Sequence, residues 1–305
     1  MPIEKYCVFH IDGGIGKHVA ATAVAQCIKN NHPDRKLIVV AAWPAIFLNL
    51  QFVDRVYKQG NTPYFYQDFI QNKDTLLFKH EPYFSTDHVH GTKSLIENWC
   101  NIYNLEYSSE VPQLLFNMRQ KQLANKWLFN NNKPTLLIHS AGGMYADDTT
   151  MKYKWSRDMP PHVMERIYAE FFKTHNIIQV VRKNGIKLPN VRVVDQPLPT
   201  MELFSLLLNS DKRVLIDSCM QHAAAALKLS STVLWIGTNP KIFGYSIHNN
   251  IVANKVNKQQ LPDSYLFDYS FDGTVHECPY MNETEMFCLD TIIETIKKQE
   301  RFNEN

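Results

Sequence analysis

The sequence lacks the features of several protein classes. It contains no run of 18 apolar residues and no basic region followed by an apolar stretch near its first residues, so we expect no integral membrane segment and a cytoplasmic location. Its six cysteines are scattered and form no C-x-x-C pair. A zinc knuckle or a disulfide framework is therefore not indicated, and reduced thiols are expected.

A strong charge of one sign is also missing. The formal net charge of the 305 residues is only +2, so no overall field favours nucleic acid or an anionic membrane as a partner. Hydrophobic residues make up 45% of the chain and charged residues 20%, which is the balance of a folded globular protein. The length exceeds that of one small core and fits two α/β domains.

Apolar runs of strand length alternate with stretches of helical spacing. Strands are predicted at 6–11, 36–42, 55–57, 75–79, 135–139, 177–181, 213–217 and 232–236. Helices are predicted at 19–28, 93–103, 120–129, 162–174, 201–209, 221–227 and 284–299. This alternation predicts two Rossmann-like α/β domains with parallel sheets.

The polar segment 130–134 interrupts the helical pattern before a fresh strand. We therefore expect an N-terminal domain over 1–132 and a C-terminal domain over 133–305. The last helix, 284–299, is a candidate to pack back on the N-terminal domain.

A glycine-rich turn, Asp12–His18, joins the first predicted strand to the first predicted helix. Glycines allow the backbone to approach a ligand, and a helix N-terminus favours an anion. A phosphate-binding P-loop is not matched, because Ile11 stands at its first glycine and His18 replaces its hydroxyl residue. A dinucleotide fingerprint is not matched either, because Val19 stands at its third glycine. We predict a loop that faces a cleft, and a tight turn without a ligand is the alternative.

Three segments of the second half follow predicted strands, at the edge where open α/β sheets bind ligands. They are His139–Gly143, Asp217–His222 and Gly237–Pro240. Small side chains at 218 and 219 allow close approach, the following helix end supplies N–H donors, and Lys154 adds a cation, a combination that suits the pyrophosphate of a sugar nucleotide. The candidate donor-binding residues are Gly14, Gly142, Gly143, Lys154, Asp217, Ser218, Cys219, His222 and Thr238. For His222, a buried core or capping histidine is the alternative.

These segments resemble the heptosyltransferase-like family of GT-B glycosyltransferases, glycosyltransferase family nine. Asp217–Ala226 is similar to the family's Asp-[ST]-Gly-Pro-Met-His-x-Ala-Ala-Ala, with Cys-Met-Gln in place of Gly-Pro-Met. Gly237–Pro240 resembles its Gly-Pro-Thr-x-Pro, and Lys154-Trp155 resembles its Lys-x-Trp-Pro. In the first half, Val53–Val56 resembles its Val-Asp-x-Val.

The resemblance implies two facing Rossmann-like domains and an inverting, metal-independent transfer. It implies a nucleotide-diphosphate sugar as co-substrate and no cofactor. It also implies that Asp217, Ser218 and His222 line the donor site and that Lys154 contacts the donor phosphates. The absence of any Asp-x-Asp pair, the usual carboxylate clamp for a divalent metal, agrees with this expectation.

The resemblance breaks at the general base. The family's Gly-Asp-x-[IVL] corresponds to Gly16–Val19, so Lys17 stands where an aspartate would take the proton of the acceptor hydroxyl. A protonated lysine cannot take a proton unless burial lowers its pKa. The catalytic candidates are therefore Lys17, Asp12 and His18, and a role for Lys17 in binding donor phosphate or an acidic acceptor is the alternative.

A histidine-rich stretch before the helix at 93–103 supplies further candidates. Asp87, His88 and His90 are interpreted as acceptor-binding residues. His88 is also a candidate base, because a neighbouring carboxylate can orient an imidazole and strengthen it as a base. A solvent-exposed polar loop is the alternative.

Three functions stay open. The first is transfer of a sugar from a nucleotide-diphosphate sugar to a hydroxyl of a surface glycan or lipopolysaccharide-type saccharide. The second is transfer to hydroxymethylated DNA, as in bacteriophage enzymes of GT-B architecture, with Tyr64–Tyr66 and nearby lysines holding a flipped base. The third is a nucleotide-sugar-binding module without catalysis.

Overall fold

The computed structural model of the chain describes residues 3–142, 154–254, 280 and 282–299. The chain divides into two compact units, Met1–Met118 and Arg119–Asn305. Each unit is an α/β unit built on one parallel sheet, with four strands in the first and six in the second. The predicted fold class is confirmed.

The N-terminal unit has its strands in the spatial order β3-β2-β1-β4. They are β1 (Lys5–Ile11), β2 (Lys36–Ala41), β3 (Arg55–Lys58) and β4 (Asp74–Phe78). The described α-helices of this unit are α1 (Ile15–Asn31), α2 (Phe65–Phe69), α3 (Thr86–Val89) and α4 (Leu95–Ile102), with 3-10 turns at Pro44–Ile46 and Pro82–Phe84. Four consecutive residues of β1, 6–9, are buried, so both faces of the central strand are covered, as is usual in parallel sheets.

The C-terminal unit has its strands in the order β10-β9-β8-β5-β6-β7. They are β5 (Thr135–His139), β6 (Asn176–Val180), β7 (Arg192–Val194), β8 (Lys212–Ile216), β9 (Thr232–Trp235) and β10 (Asn249–Val252). The described α-helices are α5 (Met118–Lys121), which begins at the unit boundary, α6 (Pro161–Phe171), α7 (Thr200–Leu208), α8 (Cys219–Ala226), α9 (Pro240–Phe243) and α10 (Leu289–Lys297). Turns of 3-10 helix lie at Asn125–Trp127, Lys154–Ser156 and Glu283–Glu285.

Every strand predicted from the sequence is present, and two strands were missed. The missed strands, β7 and β10, are the two edges of the C-terminal sheet. They have three and four residues, most of them only partly buried. A short edge strand needs no continuous apolar run, so the pattern that located the central strands gave no signal for them.

The boundary between the units lies earlier than the expected division at 132/133. Segment 119–132 belongs to the C-terminal unit because its groups bond to helices and strands of that unit. The Trp127 indole N–H donates to Glu202 at 3.0 Å, and Arg192 donates to the carbonyl of Leu128. The continuous helix predicted at 120–129 is replaced by the short α5 and a 3-10 turn.

The last helix packs within the C-terminal unit. α10 lies against α6 and strands β8 and β9. Its buried residues Ile292, Ile293 and Ile296 belong to the hydrophobic core of that unit. The apolar face of this helix is therefore buried on the sheet of its own unit, and its packing on the N-terminal domain stays a prediction.

Candidate functional site

The predicted donor residues of the C-terminal unit meet at one edge of its sheet. Strands β9, β8 and β5 are neighbours and run parallel, so their carboxyl ends lie side by side. The residues that follow them are therefore brought together, although they are far apart in the sequence. At this edge the Ser218 hydroxyl lies 2.8 Å from Nδ1 of His139, which ends β5.

Ser218 caps the helix that begins at this edge. Its Oγ accepts a hydrogen bond from the N–H of Met220 at 3.3 Å, which satisfies one of the donors left open at a helix N-terminus. Burial lowers the pKa of His139 to about 4, so its imidazole is neutral at pH 7 and its Nδ1 can accept the serine proton. The cap and the strand end are thereby fixed to each other.

The turn that carries Lys154 is held against the same edge. The N–H of Gly237, which follows β9 after one residue, donates to the carbonyl of Ser156 at 2.7 Å. A Cβ at position 237 would lie 2.7 Å from Cβ of Ser156. Only glycine permits this approach, so the sequence signal at Gly237 reflects the close packing of the Lys154–Ser156 turn, whose Lys154 is exposed.

A cavity of about 220 Å³ opens beside this turn. Its wall includes Lys154, Trp155 and the ion pair between Arg182 and Asp158. Burial raises the pKa of Asp158, against the opposing charge of Arg182. The carboxylate also accepts the N–H of Gly142 at 3.3 Å. No motif indicated Arg182 or Asp158, although Arg182 follows β6, the neighbour of β5, and the strand-end rule could have found it.

Other predicted donor residues at this edge are buried or, in the case of Cys219, half-buried. Burial raises the pKa of Asp217, against the opposing effects of Arg157 and Thr238, and raises that of Cys219 to about 12. Cys219 is therefore a protonated thiol at neutral pH. Thr238 is almost fully buried.

His222 is a buried, hydrogen-bonded histidine. Its Nδ1 lies 2.7 Å from the Tyr245 hydroxyl. Burial lowers its pKa to about 3, so the ring is neutral. This environment matches the core or capping alternative as well as a place in the donor wall. Gly143, also predicted for the donor, lies outside the described residues, and Gly14 belongs to the N-terminal unit.

In the N-terminal unit, the glycine-rich turn is a rigid strand-to-helix connection. Gly13 has φ +85°, a conformation that favours glycine, and Gly14 is the N-cap of α1. His18 is fully buried: its Nδ1 lies 2.9 Å from the carbonyl of Gly14, and its Nε2 accepts the N–H of Ala42 at 3.2 Å. Both ring nitrogens therefore contact the backbone, an arrangement that does not favour His18 as the base.

Lys17 is also part of the structure of this turn. Its side chain is only 7% exposed, and its ammonium pairs with Glu81 and lies 3.5 Å from Oδ1 of Asp12. The ammonium also lies 5.6 Å from the ring centroids of both Tyr83 and Trp99. The ammonium is already engaged by these partners, so neither the role of Lys17 as a base nor a direct phosphate contact is favoured.

Asp12 is the catalytic candidate that remains accessible, with 51% of its side chain exposed. Burial acts to raise its pKa, but a hydrogen bond with Glu81 and the charge of Lys17 hold that pKa below its ordinary value. Asp12 is therefore a carboxylate at neutral pH. Glu81 was missed by sequence reasoning, because it comes from the segment after β4, whose position beside β1 is known only from the sheet order.

The carboxylate of Asp87, among the predicted acceptor residues, is engaged by a lysine and a threonine. The Asp87 carboxylate pairs with Lys93 at 3.0 Å and accepts the Thr92 hydroxyl at 2.9 Å. His88 is buried with its ring against Tyr83, and burial lowers its pKa. His90 is exposed. These contacts of Asp87 do not favour its activation of His88, which stays a prediction.

Comparison with known proteins identifies the fold. No protein-family model matches the chain, and no curated protein matches it. The structure of a glycosyl transferase family 9 protein from Veillonella parvula is similar, with a TM-score of 0.67 and 10% identity over 98% of each chain. The chain has the GT-B glycosyltransferase fold.

Two further solved structures agree. ADP-heptose LPS heptosyltransferase II of E. coli gives a TM-score of 0.62 at 12% identity, over 87% of this chain and 94% of that one. TibC of enterotoxigenic E. coli, a heptosyltransferase solved with ADP-D-β-D-heptose, gives 0.66 at 11% identity, over 98% of this chain and 78% of that one. At these identities the likeness establishes the fold, and the activity has to be argued from the site.

Two properties of the described part of the chain complete the comparison. Within residues 3–142, 154–254, 280 and 282–299, no helix is both long and apolar enough to cross a membrane. In the same ranges, no group of three or more His, Cys, Asp or Glu side chains is placed to hold a metal ion.

Proposed function

We propose that the protein is a glycosyltransferase that moves a sugar from a nucleotide-diphosphate sugar to an acceptor hydroxyl. The observation that supports this most directly is the edge of the C-terminal sheet, where the capped N-terminus of α8 lies beside adjacent strand ends and the turn of Lys154 is fixed against them. The solved complex of TibC with ADP-D-β-D-heptose, a protein of the same fold, supports a nucleoside diphosphate sugar as the donor class.

The donor's diphosphate is assigned to this edge on electrostatic grounds. The N–H groups of the first turn of α8 and the positive end of its dipole favour an anion. Lys154 is exposed and belongs to a turn packed on the same edge, so its ammonium can reach a phosphate. Both features stabilise the negative charge that grows on the diphosphate as the bond to the sugar breaks.

The acceptor is assigned to the N-terminal unit, with Asp12 as the general base. The Asp12 carboxylate takes the proton of the acceptor hydroxyl, the oxygen forms a bond to the anomeric carbon, and the bond from that carbon to the diphosphate breaks. Attack from the face opposite the diphosphate inverts the configuration. The low pKa of Asp12 keeps it ionised at neutral pH, and the proposed mechanism needs no metal ion.

A saccharide is the proposed acceptor, in line with the LPS heptosyltransferase of the same fold. The hydroxymethylated-DNA alternative relied on Tyr64–Tyr66, but the Phe65 ring packs against Tyr57 and Phe69. Only the two tyrosines of that segment are exposed. No feature of the described residues favours DNA over a saccharide, so DNA is kept as an outcome of the acceptor test.

A thermal-shift screen tests the donor assignment. We expect one donor among UDP-, GDP-, ADP-, CMP- and dTDP-sugars to raise the melting temperature, with or without magnesium, because binding to the native state stabilises it. Lys154→Ala should lose most of that shift. Lys173→Ala is the matched control, since Lys173 is an exposed lysine that precedes β6 at the opposite edge of the same sheet. No shift with any donor, or equal loss in both variants, would contradict the assignment.

A further inference from the structure

Trp43 has a fixed position next to the glycine-rich turn. Its indole N–H donates to the carbonyl of Gly13 at 3.0 Å. The N–H of the preceding residue, Ala42, bonds to His18 at 3.2 Å and to the carbonyl of Ile11 at 3.1 Å. Backbone and ring are thus both anchored, while 37% of Trp43 stays exposed.

An anchored, exposed indole has a specific binding capacity. Because Gly13 already takes the N–H of Trp43, the ring offers its apolar surface to a ligand and has no polar group left to satisfy. A rigid aromatic ring supplies contact area at a low cost in conformational entropy. The C–H face of a pyranose ring is the apolar surface that packs on such a ring, while its hydroxyls point sideways.

Hydrogen-bond acceptors for those hydroxyls lie on this turn and on the segment after β4. The carboxylates of Asp12 and Glu81 are 51% and 33% exposed, whereas the Lys17 ammonium they share is buried. The cation beneath them offsets the repulsion between the two groups and helps to keep the pKa of Asp12 low. Two partly exposed carboxyl groups therefore lie around the Lys17 ammonium, and the Trp43 indole donates to Gly13 of the same turn as Lys17.

We propose that Trp43, Asp12 and Glu81 form the acceptor subsite, in which one uncharged sugar ring packs on Trp43 and donates its hydroxyls to the two carboxylates. The inference rests on the proposed function and adds Trp43 and Glu81, which no sequence motif indicates. An anionic group placed here would meet two carboxylates, so the ring next to the reacting hydroxyl is uncharged. Lys17 acts as a positioning residue for the pair.

Sugar binding to this subsite can be measured in the absence of a donor. Methyl glycosides of glucose, galactose, mannose and N-acetylglucosamine are titrated into the protein while its tryptophan fluorescence is followed. We expect a saturable change with at least one glycoside that is absent in Trp43→Phe, because the reporting indole is removed. No saturable change with any glycoside, or a change that persists in Trp43→Phe, would overturn the proposal whatever the donor screen shows.

Turnover with the donor found by thermal shift tests the roles of the three residues. With the glycoside that binds, Trp43→Ala should raise KM about tenfold or more, as expected for the loss of one stacked ring. Trp43→Phe should restore much of that loss, and kcat should change little in either variant. Tyr66→Ala, which removes an exposed aromatic side chain of α2 in the same unit, is the control and should leave KM unchanged.

Substitutions of the two carboxylates should have different kinetic effects in the same assay. Glu81→Gln should raise KM with most of kcat retained, whereas Asp12→Asn should lower kcat by a factor on the order of 100 or more. All variants should keep the donor-induced thermal shift, which separates failure of this subsite from failure of the donor assignment. Equal KM values in Trp43→Ala and the unsubstituted protein, or turnover only with an oligonucleotide containing 5-hydroxymethylcytosine, would overturn the saccharide subsite.

Discussion

The two units treat charge in opposite ways at the carboxyl edges of their sheets. In the N-terminal unit a cation, Lys17, is buried under two carboxylates that reach the surface. In the C-terminal unit His139 and His222 are buried and neutral, and Lys154 is an exposed cation. The edge of the N-terminal sheet therefore offers acceptors for hydroxyl protons, and the edge of the C-terminal sheet offers hydrogen-bond donors for an anion. The proposed sugar transfer from a diphosphate needs both.

Gly237→Ala should have the largest effect on stability and donor binding, because it displaces the backbone at the carboxyl edge of the C-terminal sheet. The added Cβ would lie 2.7 Å from Cβ of Ser156 and 3.1 Å from its carbonyl oxygen. The turn with Lys154 must then move, so we expect a loss of about 2 kcal/mol in the free energy of unfolding and no donor-induced thermal shift. Urea unfolding and the thermal-shift assay measure both.

Gly142→Ala is the matched control for the backbone effect. A Cβ at Gly142 would lie 3.8 Å from Cδ1 of Ile216, an ordinary contact. Its free energy of unfolding should therefore stay close to that of the unsubstituted protein. A Gly237→Ala variant that binds donor normally would show that the packing of the Lys154 turn on β9 is not needed for the donor site.

Lys17→Met tests the carboxyl edge of the N-terminal sheet, where the cation is buried. The methionine keeps an apolar stem beside the rings of Tyr83 and Trp99, but the charge that, after the hydrogen bond with Glu81, lowers the pKa of Asp12 is gone. The pKa of Asp12 should rise, so the acid limb of the pH profile of kcat/KM should move to higher pH. Lys17→Arg keeps the charge and should hold the limb in place. If the acid limb of the kcat/KM profile does not move in Lys17→Met, another group is the base.

The neutral histidines of the C-terminal edge predict sensitivity of the fold to acid. The ordinary histidine pKa is 6.5, and burial lowers those of His139 and His222 to about 4 and about 3. Between these values the unfolded chain binds more protons, so the stabilisation is complete above pH 6.5 and falls as the pH drops. Each histidine contributes a slope of up to about 1 kcal/mol per pH unit.

Urea unfolding at several pH values between 7 and 4 measures this slope. His222→Gln should have a shallower slope than the unsubstituted protein, because one group no longer titrates. His90→Gln is the control, since His90 is exposed. Parallel curves for His222→Gln and the unsubstituted protein would show that the pKa of His222 in the folded state is close to the ordinary histidine value.

How far the sequence could predict this molecule differs between the two edges for a physical reason. The residues around Ser218 follow strands that are easily located as apolar runs, and the strand-end rule brings them together. The pair of Lys17 and Glu81 depends instead on β4 lying beside β1 and on the burial of Lys17 between two rings, which are properties of the assembled sheet. The local motif therefore gave Lys17 a catalytic interpretation that its surroundings do not support.

The smallest predicted effect belongs to Ser218→Ala, and it separates two ways in which α8 could hold a phosphate. Loss of the cap to Met220 and of the bond to His139 should lower the free energy of unfolding by about 1 kcal/mol. If the backbone N–H groups of the helix end hold the diphosphate, they are still present, and the donor Kd should rise only a few-fold. If the hydroxyl itself is the main phosphate ligand, the Kd should rise tenfold or more, and Ser218→Thr should restore it. Isothermal titration with the donor decides between them, because a helix-end site is a property of the backbone whereas a hydroxyl site is a property of one side chain.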